Sequence, residues 1–166
     1  MAIKLVRTGH LVLRVKDLER SKRFFTEVLG LNVVVVNRRN MVFFSSDFEY
    51  NHHMLAIREA ADKDLSDPAP ESQLGMEHVA YELESFAALQ EAWRIFKEND
   101  VTIHHTVWHG VAKSIYFLDP DGNMLEVYCN VPASEYEGSI ENVFGSYGSL
   151  EAELEGAPQK PGSVAP

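Results

Sequence analysis

Five side chains have the types and spacing to do chemistry together: His10, His78, His109, Tyr116 and Glu126. Glu126 stands in the middle of Met124–Tyr128, an apolar strand-like run in which Met124, Glu126 and Tyr128 share one face. A carboxylate there is costly to bury unless something neutralises it, and a cation is the obvious candidate. His10 and His78 each open a strand-like stretch, and imidazole nitrogen is a common ligand for divalent metals. Two histidines and one carboxylate that leave coordination positions open form the ligand set of non-haem Fe(II) oxygenases. Six positions less three protein ligands leave room for a bidentate substrate and dioxygen.

Those residues must be carried by elements that repeat. Thr8–Val15 alternates as a strand with His10, Val12 and Arg14 on one side. Asp17 caps a helix whose apolar positions Leu18, Phe24, Phe25, Val28 and Leu29 follow a 3.6-residue period, and Gly30 ends it. Asn32–Val36, Met41–Ser45 and His53–Arg58 read as strands, the first two joined at Asn37-Arg38-Arg39-Asn40. Glu59–Gly75, with Pro68 and Pro70 and no periodicity, reads as a linker. The pattern then restarts. Glu77–Leu83 is a strand with His78, Ala80 and Glu82 on one face. Ser85 caps a helix with Phe86, Leu89, Trp93 and Phe96 along one stripe. Val101–Val107 is a strand, and Ala112–Leu118 with Met124–Cys129 form a hairpin about the turn Asp119-Pro120-Asp121-Gly122.

The halves count off against each other. His10 to Ala56 is 46 positions and His78 to Glu126 is 48, with Met54-Leu55-Ala56-Ile57 matching Met124-Leu125-Glu126-Val127. The expected fold is therefore α+β: two tandem βαβββ modules, about 5–60 and 75–130, forming a curved, half-open mixed β-sheet barrel around a metal site with the helices outside. If the modules are pseudo-symmetric, His10 and His78 head equivalent strands and converge, while the counterpart of Glu126 is Ala56, which cannot ligate. Residues 1–131 are expected as one domain and 132–155 as a C-terminal extension with a helix near Ser149–Glu155. Residues 156–166 are expected as a disordered tail. His104 and His105 read as surface residues of a polar strand, and His52 as a structural or solvated residue facing away from His53.

A chain of 166 residues, 45% hydrophobic, is long enough for one globular domain. Its net charge of −10 argues against a nucleic-acid or anionic-membrane partner. One cysteine, Cys129, precludes an internal disulfide framework and suits a reducing compartment. No signal-peptide pattern and no run near 20 apolar residues is visible, so a cytoplasmic protein is expected.

Three stretches resemble the vicinal oxygen chelate superfamily: Gly9–Leu31 (GHLVLRVKDLERSKRFFTEVLGL), His78, and Asp119–Glu126 (DPDGNMLE). The resemblance covers about residues 5–130. A narrower signature (V-x-H, five residues, I-Y, two residues, D-P-x-G, then Glu four after the glycine) is filled by His109, Ile115, Tyr116, Asp119, Pro120, Gly122 and Glu126. It resembles the type I extradiol ring-cleaving dioxygenases, and Asn51-His52-His53 resembles the stretch carrying their active-site histidine. The resemblance implies that His10, His78 and Glu126 hold Fe(II), Mn(II) being compatible with the same ligands. It implies that His53 is the acid–base histidine, that His109 is a second-sphere histidine, and that Tyr116 hydrogen-bonds a substrate oxygen. The substrates implied are a catechol, such as 2,3-dihydroxybiphenyl, and O2, and a homo-oligomer is expected. Familiar enzymes of this type carry two such domains, whereas this chain looks like the one-domain members.

Two other functions fit the same fold. A glyoxalase- or epimerase-like metalloenzyme would need a carboxylate base or fourth ligand where Ala56 stands. A metal-free small-molecule binding or resistance protein would have no use for His10, His78 and Glu126 together.

Overall fold

The computed structural model of the chain describes residues 3–4, 6–37, 40–61, 75–135 and 148–156. It divides into two compact units, Met1–Asp67 and Pro68–Pro166. The first holds β1 (Leu11–Val15), α1 (Leu18–Arg23), β2 (Asn32–Asn37), β3 (Met41–Ser45) and β4 (Leu55–Glu59). Its sheet runs β1-β4-β3-β2, with β1 parallel to β4 and the other pairs antiparallel. The second holds β5 (Val79–Glu82), α2 (Phe86–Glu98), β6 (Ile103–Trp108), β7 (Ala112–Leu118), β8 (Met124–Asn130) and the short α3 (Glu151–Leu154). Its sheet runs β5-β8-β7-β6 with the same parallel and antiparallel pattern. Each unit is thus a βαβββ module with a four-stranded mixed sheet.

The local causes are those expected of the sequence. Asp17 Oδ1 accepts the Arg20 N–H at 2.9 Å, and Ser85 Oγ accepts the Ala88 N–H at 3.2 Å, so both helices begin at a side-chain cap. After Arg23 the first helix widens into a π-type turn over Phe24–Val28 and stops at Gly30, whose φ of +67° favours glycine. Each helix lays one aromatic ring on its sheet: Phe25 meets Phe44 at 5.7 Å between ring centroids, and Phe96 meets Phe117 at 4.4 Å. All four rings are buried. Phe44 pairs with Leu55 and Phe117 with Leu125, so the two contacts occupy equivalent places in the duplicated unit.

Strand pairing settles which residues correspond. Ladders open at Leu11↔Leu55 and at Val79↔Leu125, so His10 and His78 each sit one residue ahead of the first paired position. The expected strands Thr8–Val15, His53–Arg58 and Glu77–Leu83 are therefore shorter than the alternation suggested, because alternation continues past the point where a partner strand is available. Ala56 lies between Val12 and Phe43, and Glu126 between Ala80 and Tyr116. A one-residue irregularity recurs as well, at Val33/Val35 in β2 and at Ile103/His105 in β6.

Residues 148–156 dock on the second unit. Trp108 N–H donates to Gly148 O (3.1 Å) and Leu150 N–H to Thr106 Oγ1 (2.9 Å). Gln90 Nε2 donates to Glu153 O (2.9 Å), Lys113 Nζ reaches Glu153 Oε2 at 2.8 Å, and Leu150 and Leu154 are buried. The helix expected near Ser149–Glu155 is α3. Arg38 and Arg39, residues 62–74 of the expected linker, the stretch holding Phe144 and Tyr147, and residues 157–166 of the expected tail lie outside the described residues. No helix among the described residues is long and apolar enough to cross a membrane.

Candidate metal centre

Glu126 is central to β8 and only 6% exposed, and its flanking strands bring the other second-unit residues to it. His78 Nε2 stands 3.1 Å from Glu126 Oε2. The Tyr116 ring meets the His78 ring edge-on at 5.2 Å between centroids. Tyr116 is buried, and burial first, then the Glu126 carboxylate, pushes its pKa up to about 12. The phenol therefore stays a hydrogen-bond donor throughout the physiological range. His109, just beyond β6, places Nε2 at 3.3 Å from the Tyr116 hydroxyl, while its N–H donates to Ala112 O at 2.7 Å.

The hairpin turn fixes this register. Asp119 Oδ1 accepts the N–H groups of Asp121 (2.9 Å) and Asn123 (2.8 Å), and its Oδ2 accepts Asn123 Nδ2 (2.8 Å). Gly122, at φ +85°, donates its N–H to Asp119 O at 3.0 Å. With Leu118 opposite Met124, Tyr116 must fall opposite Glu126. A shift of one residue would send Glu126 to the helix-covered face.

In the first unit, His10 and His53 lie with ring centroids 4.4 Å apart. Asn51 ties them together. Its Nδ2 donates to Gly9 O (3.0 Å), its Oδ1 accepts the His53 N–H (3.2 Å), its N–H donates to Asp47 O (3.0 Å) and its carbonyl accepts Ser45 Oγ–H (2.6 Å). Burial, then the neighbouring His10 and His52, lowers the His53 pKa below its ordinary value. The expectation that His52 faces away from His53 is overturned. Their Nδ1 atoms are 2.5 Å apart, because residues 51–53 precede β4 and lie in no strand, so strand alternation does not apply there.

Sequence reasoning missed His105. Expected as a surface residue, it is exposed, yet it stacks on Tyr116 with centroids 4.3 Å apart and planes 8° from parallel. The irregularity in β6 moves His105, not His104, opposite Tyr116. Alternation alone gives no sign of such a shift. Its only trace in the sequence is by analogy, since Val35 holds the same place in the first unit.

The six expected site residues fall into two groups, with His10 and His53 in the first unit and His78, His109, Tyr116 and Glu126 in the second. Within neither unit, among the described residues, do three His, Cys, Asp or Glu side chains gather as a ready-made cluster. The donor chemistry suits a divalent cation nonetheless. Glu126 is a buried carboxylate that no Lys or Arg pairs among the described residues, and an imidazole nitrogen stands 3.1 Å from it.

A family model described as the Glyoxalase/Bleomycin resistance protein/Dioxygenase superfamily matches residues 7–127. The chain belongs to this superfamily. Among superfamily relatives, biphenyl-2,3-diol 1,2-dioxygenase 3 of Rhodococcus globerulus is 31% identical over 73% of this chain, which spans 62% of that protein's length. Metallothiol transferase FosB of Staphylococcus saprophyticus is 27% identical over 72% of this chain and 74% of its own. A glyoxylase/bleomycin resistance protein/dioxygenase domain from Frankia sp. EAN1pec has the same fold, with a TM-score of 0.66 at 22% identity over 77% of this chain and all of that one. Dioxygenases and a transferase both stand among its relatives, so membership in the superfamily fixes the fold and leaves the reaction to the site residues.

Proposed function

We propose that the chain is an extradiol ring-cleaving dioxygenase acting on a catechol such as 2,3-dihydroxybiphenyl. The observation that carries this reading is the register. Glu126 lies beside His78, with Tyr116 opposite it, and the duplicated position in the first unit is Ala56. A fourth protein donor at that place is what a glyoxalase- or epimerase-like site would require, and alanine supplies none. The similarity to a biphenyl-2,3-diol dioxygenase supports the same reading.

His10, His78 and Glu126 would hold the metal, Fe(II) or with the same donors Mn(II). When bound, it would supply Lewis-acid and redox chemistry toward a diol and O2. The rest falls to the chain. Tyr116, kept neutral, donates a hydrogen bond to a diol oxygen and so orients the ring. His109, in contact with the phenol oxygen, holds that hydroxyl in place. His53 is neutral at pH 7, and its Nδ1 faces His52. Its Nε2 is therefore the atom that accepts a diol proton and later returns it. The partners are then a catecholic small molecule and O2, with no nucleic acid or membrane. A cytoplasmic homo-oligomer completes the reading.

The test is His78→Ala, which is expected to lose bound iron and oxygen uptake together. A variant that keeps a full complement of iron removes His78 from the ligand set.

A further inference from the structure

We propose that His105 is a positioning residue that aims the Tyr116 hydroxyl, a role that rests on the ring-cleavage reading above. Four paired residues cross each sheet on the face opposite the helix: Ala80, Glu126, Tyr116 and His105 in the second unit, and Val12, Ala56, Phe43 and Val35 in the first. The first-unit row is wholly apolar. Phe43 has no polar atom to aim, and the branched Val35 opposite it packs without fixing a ring plane.

In the second unit, every position from Glu126 outward carries a polar group. A phenol hydroxyl acts in a set direction only if its ring cannot rotate or tilt. His105 supplies a flat surface 4.3 Å from the Tyr116 ring and within 8° of parallel. The His78 ring meets the same phenol edge-on, so Tyr116 is held on its face and at its edge. His105, though exposed, has a side-chain contact of its own. His104, the extra residue of the strand irregularity, has Nδ1 2.6 Å from His105 Nδ1 and its ring at 72° to that of His105. The irregularity thus delivers two histidines to one task, His105 against the tyrosine and His104 against His105.

The experiment compares His105→Ala, His105→Phe and Tyr116→Phe, together with the His105→Ala/Tyr116→Phe double variant, in the full chain loaded with Fe(II). His105→Ala is expected to lower kcat on 2,3-dihydroxybiphenyl about 10-fold with little change in KM, and His105→Phe, which keeps a flat partner, to restore it. In the Tyr116→Phe background, His105→Ala should cost nothing further, because the hydroxyl it aims is gone. Equal losses in both backgrounds, or no loss in either, overturn the proposal. A second readout needs no turnover. The nuclear Overhauser contact between the Tyr116 and His109 rings should survive in His105→Phe and vanish in His105→Ala; its persistence in His105→Ala overturns the proposal. A wild-type protein that cleaves no catechol defeats the ring-cleavage reading alone, and the Tyr116–His109 contact then decides the role of His105.

Discussion

At the scale of single residues, environment assigns the work. Two tyrosines of the second unit differ in use though not in direction of shift. Tyr81 and Tyr116 are each pushed up to about 12 by burial, but the Tyr81 hydroxyl is buried without a hydrogen-bond partner among the described residues, whereas that of Tyr116 faces His109. Tyr116→Phe is expected to keep the metal and slow turnover about 10–1000-fold, the scale of losing a positioned donor. Metal content measured beside kcat checks both halves, and unchanged turnover reduces Tyr116 to packing. His53 carries a pH signature. Its pKa is lowered, so the neutral, proton-accepting form persists as pH falls below 6.5. The acidic limb of kcat/KM should therefore lie below pH 6.5, and a limb above that value takes His53 out of the base role. The residues at strand heads and in the D-P-D-G signature were legible in the sequence because their spacing from one another is fixed by ladders and a tight turn. His105 was not, because one extra residue in β6 reverses which of two adjacent histidines meets Tyr116. The His52–His53 contact was hidden for a related reason, since these residues lie outside any strand and obey no period.

At the scale of elements, two short segments hold the site's scaffolding in place. The turn at Asp47–His53 is fastened to the head of β1 through Asn51, which uses both side-chain atoms and both main-chain groups. Asn51→Ala removes the two side-chain bonds and is expected to cost about 1–2 kcal/mol. It should also loosen His10 against His53, lowering metal affinity as well as stability. A calorimetric metal titration that matches wild type confines Asn51 to folding. The other segment is α3, anchored by Leu150, Leu154 and the Lys113–Glu153 pair against α2, β6 and β7. Lys113 also lies 4.4 Å from the Phe86 ring centroid, so its charge is covered on two sides. Leu154→Ala should cost about 2–4 kcal/mol in chemical denaturation, and a loss near zero places α3 outside the cooperative unit. Helix starts and the hairpin were readable from Asp17, Ser85 and Asp119–Gly122, whose side chains make the bonds their types suggest. Strand ends were not, because a ladder stops where its partner stops.

At the scale of the whole molecule, a duplicated unit has diverged along one row. The halves keep matching aromatic contacts under their helices and matching irregularities in their strands, while Ala56, Phe43 and Val35 stand where the second unit has Glu126, Tyr116 and His105. The asymmetry reaches stability. Tyr81, Tyr116 and Tyr128 all have raised pKa values and all lie in the second unit. Each phenol ionises first in the unfolded chain, so the stability it lends is full below pH 10 and drains away as pH rises above it. Alkaline melting should therefore begin in the second unit, with hydrogen exchange accelerating in β5, β7 and β8 before β1–β4; the reverse order contradicts it. The duplication was legible because the offsets of 46 and 48 positions are nearly equal, and strand register then confirmed Ala56 as the counterpart of Glu126. The central claim is tested most directly by oxygen uptake. Protein purified without air, loaded with Fe(II) and mixed with 2,3-dihydroxybiphenyl or catechol in air should consume oxygen as a yellow ring-fission product appears. Stoichiometric bound metal with no uptake across a panel of catechols would contradict ring cleavage and return the site to other metal chemistry of the superfamily.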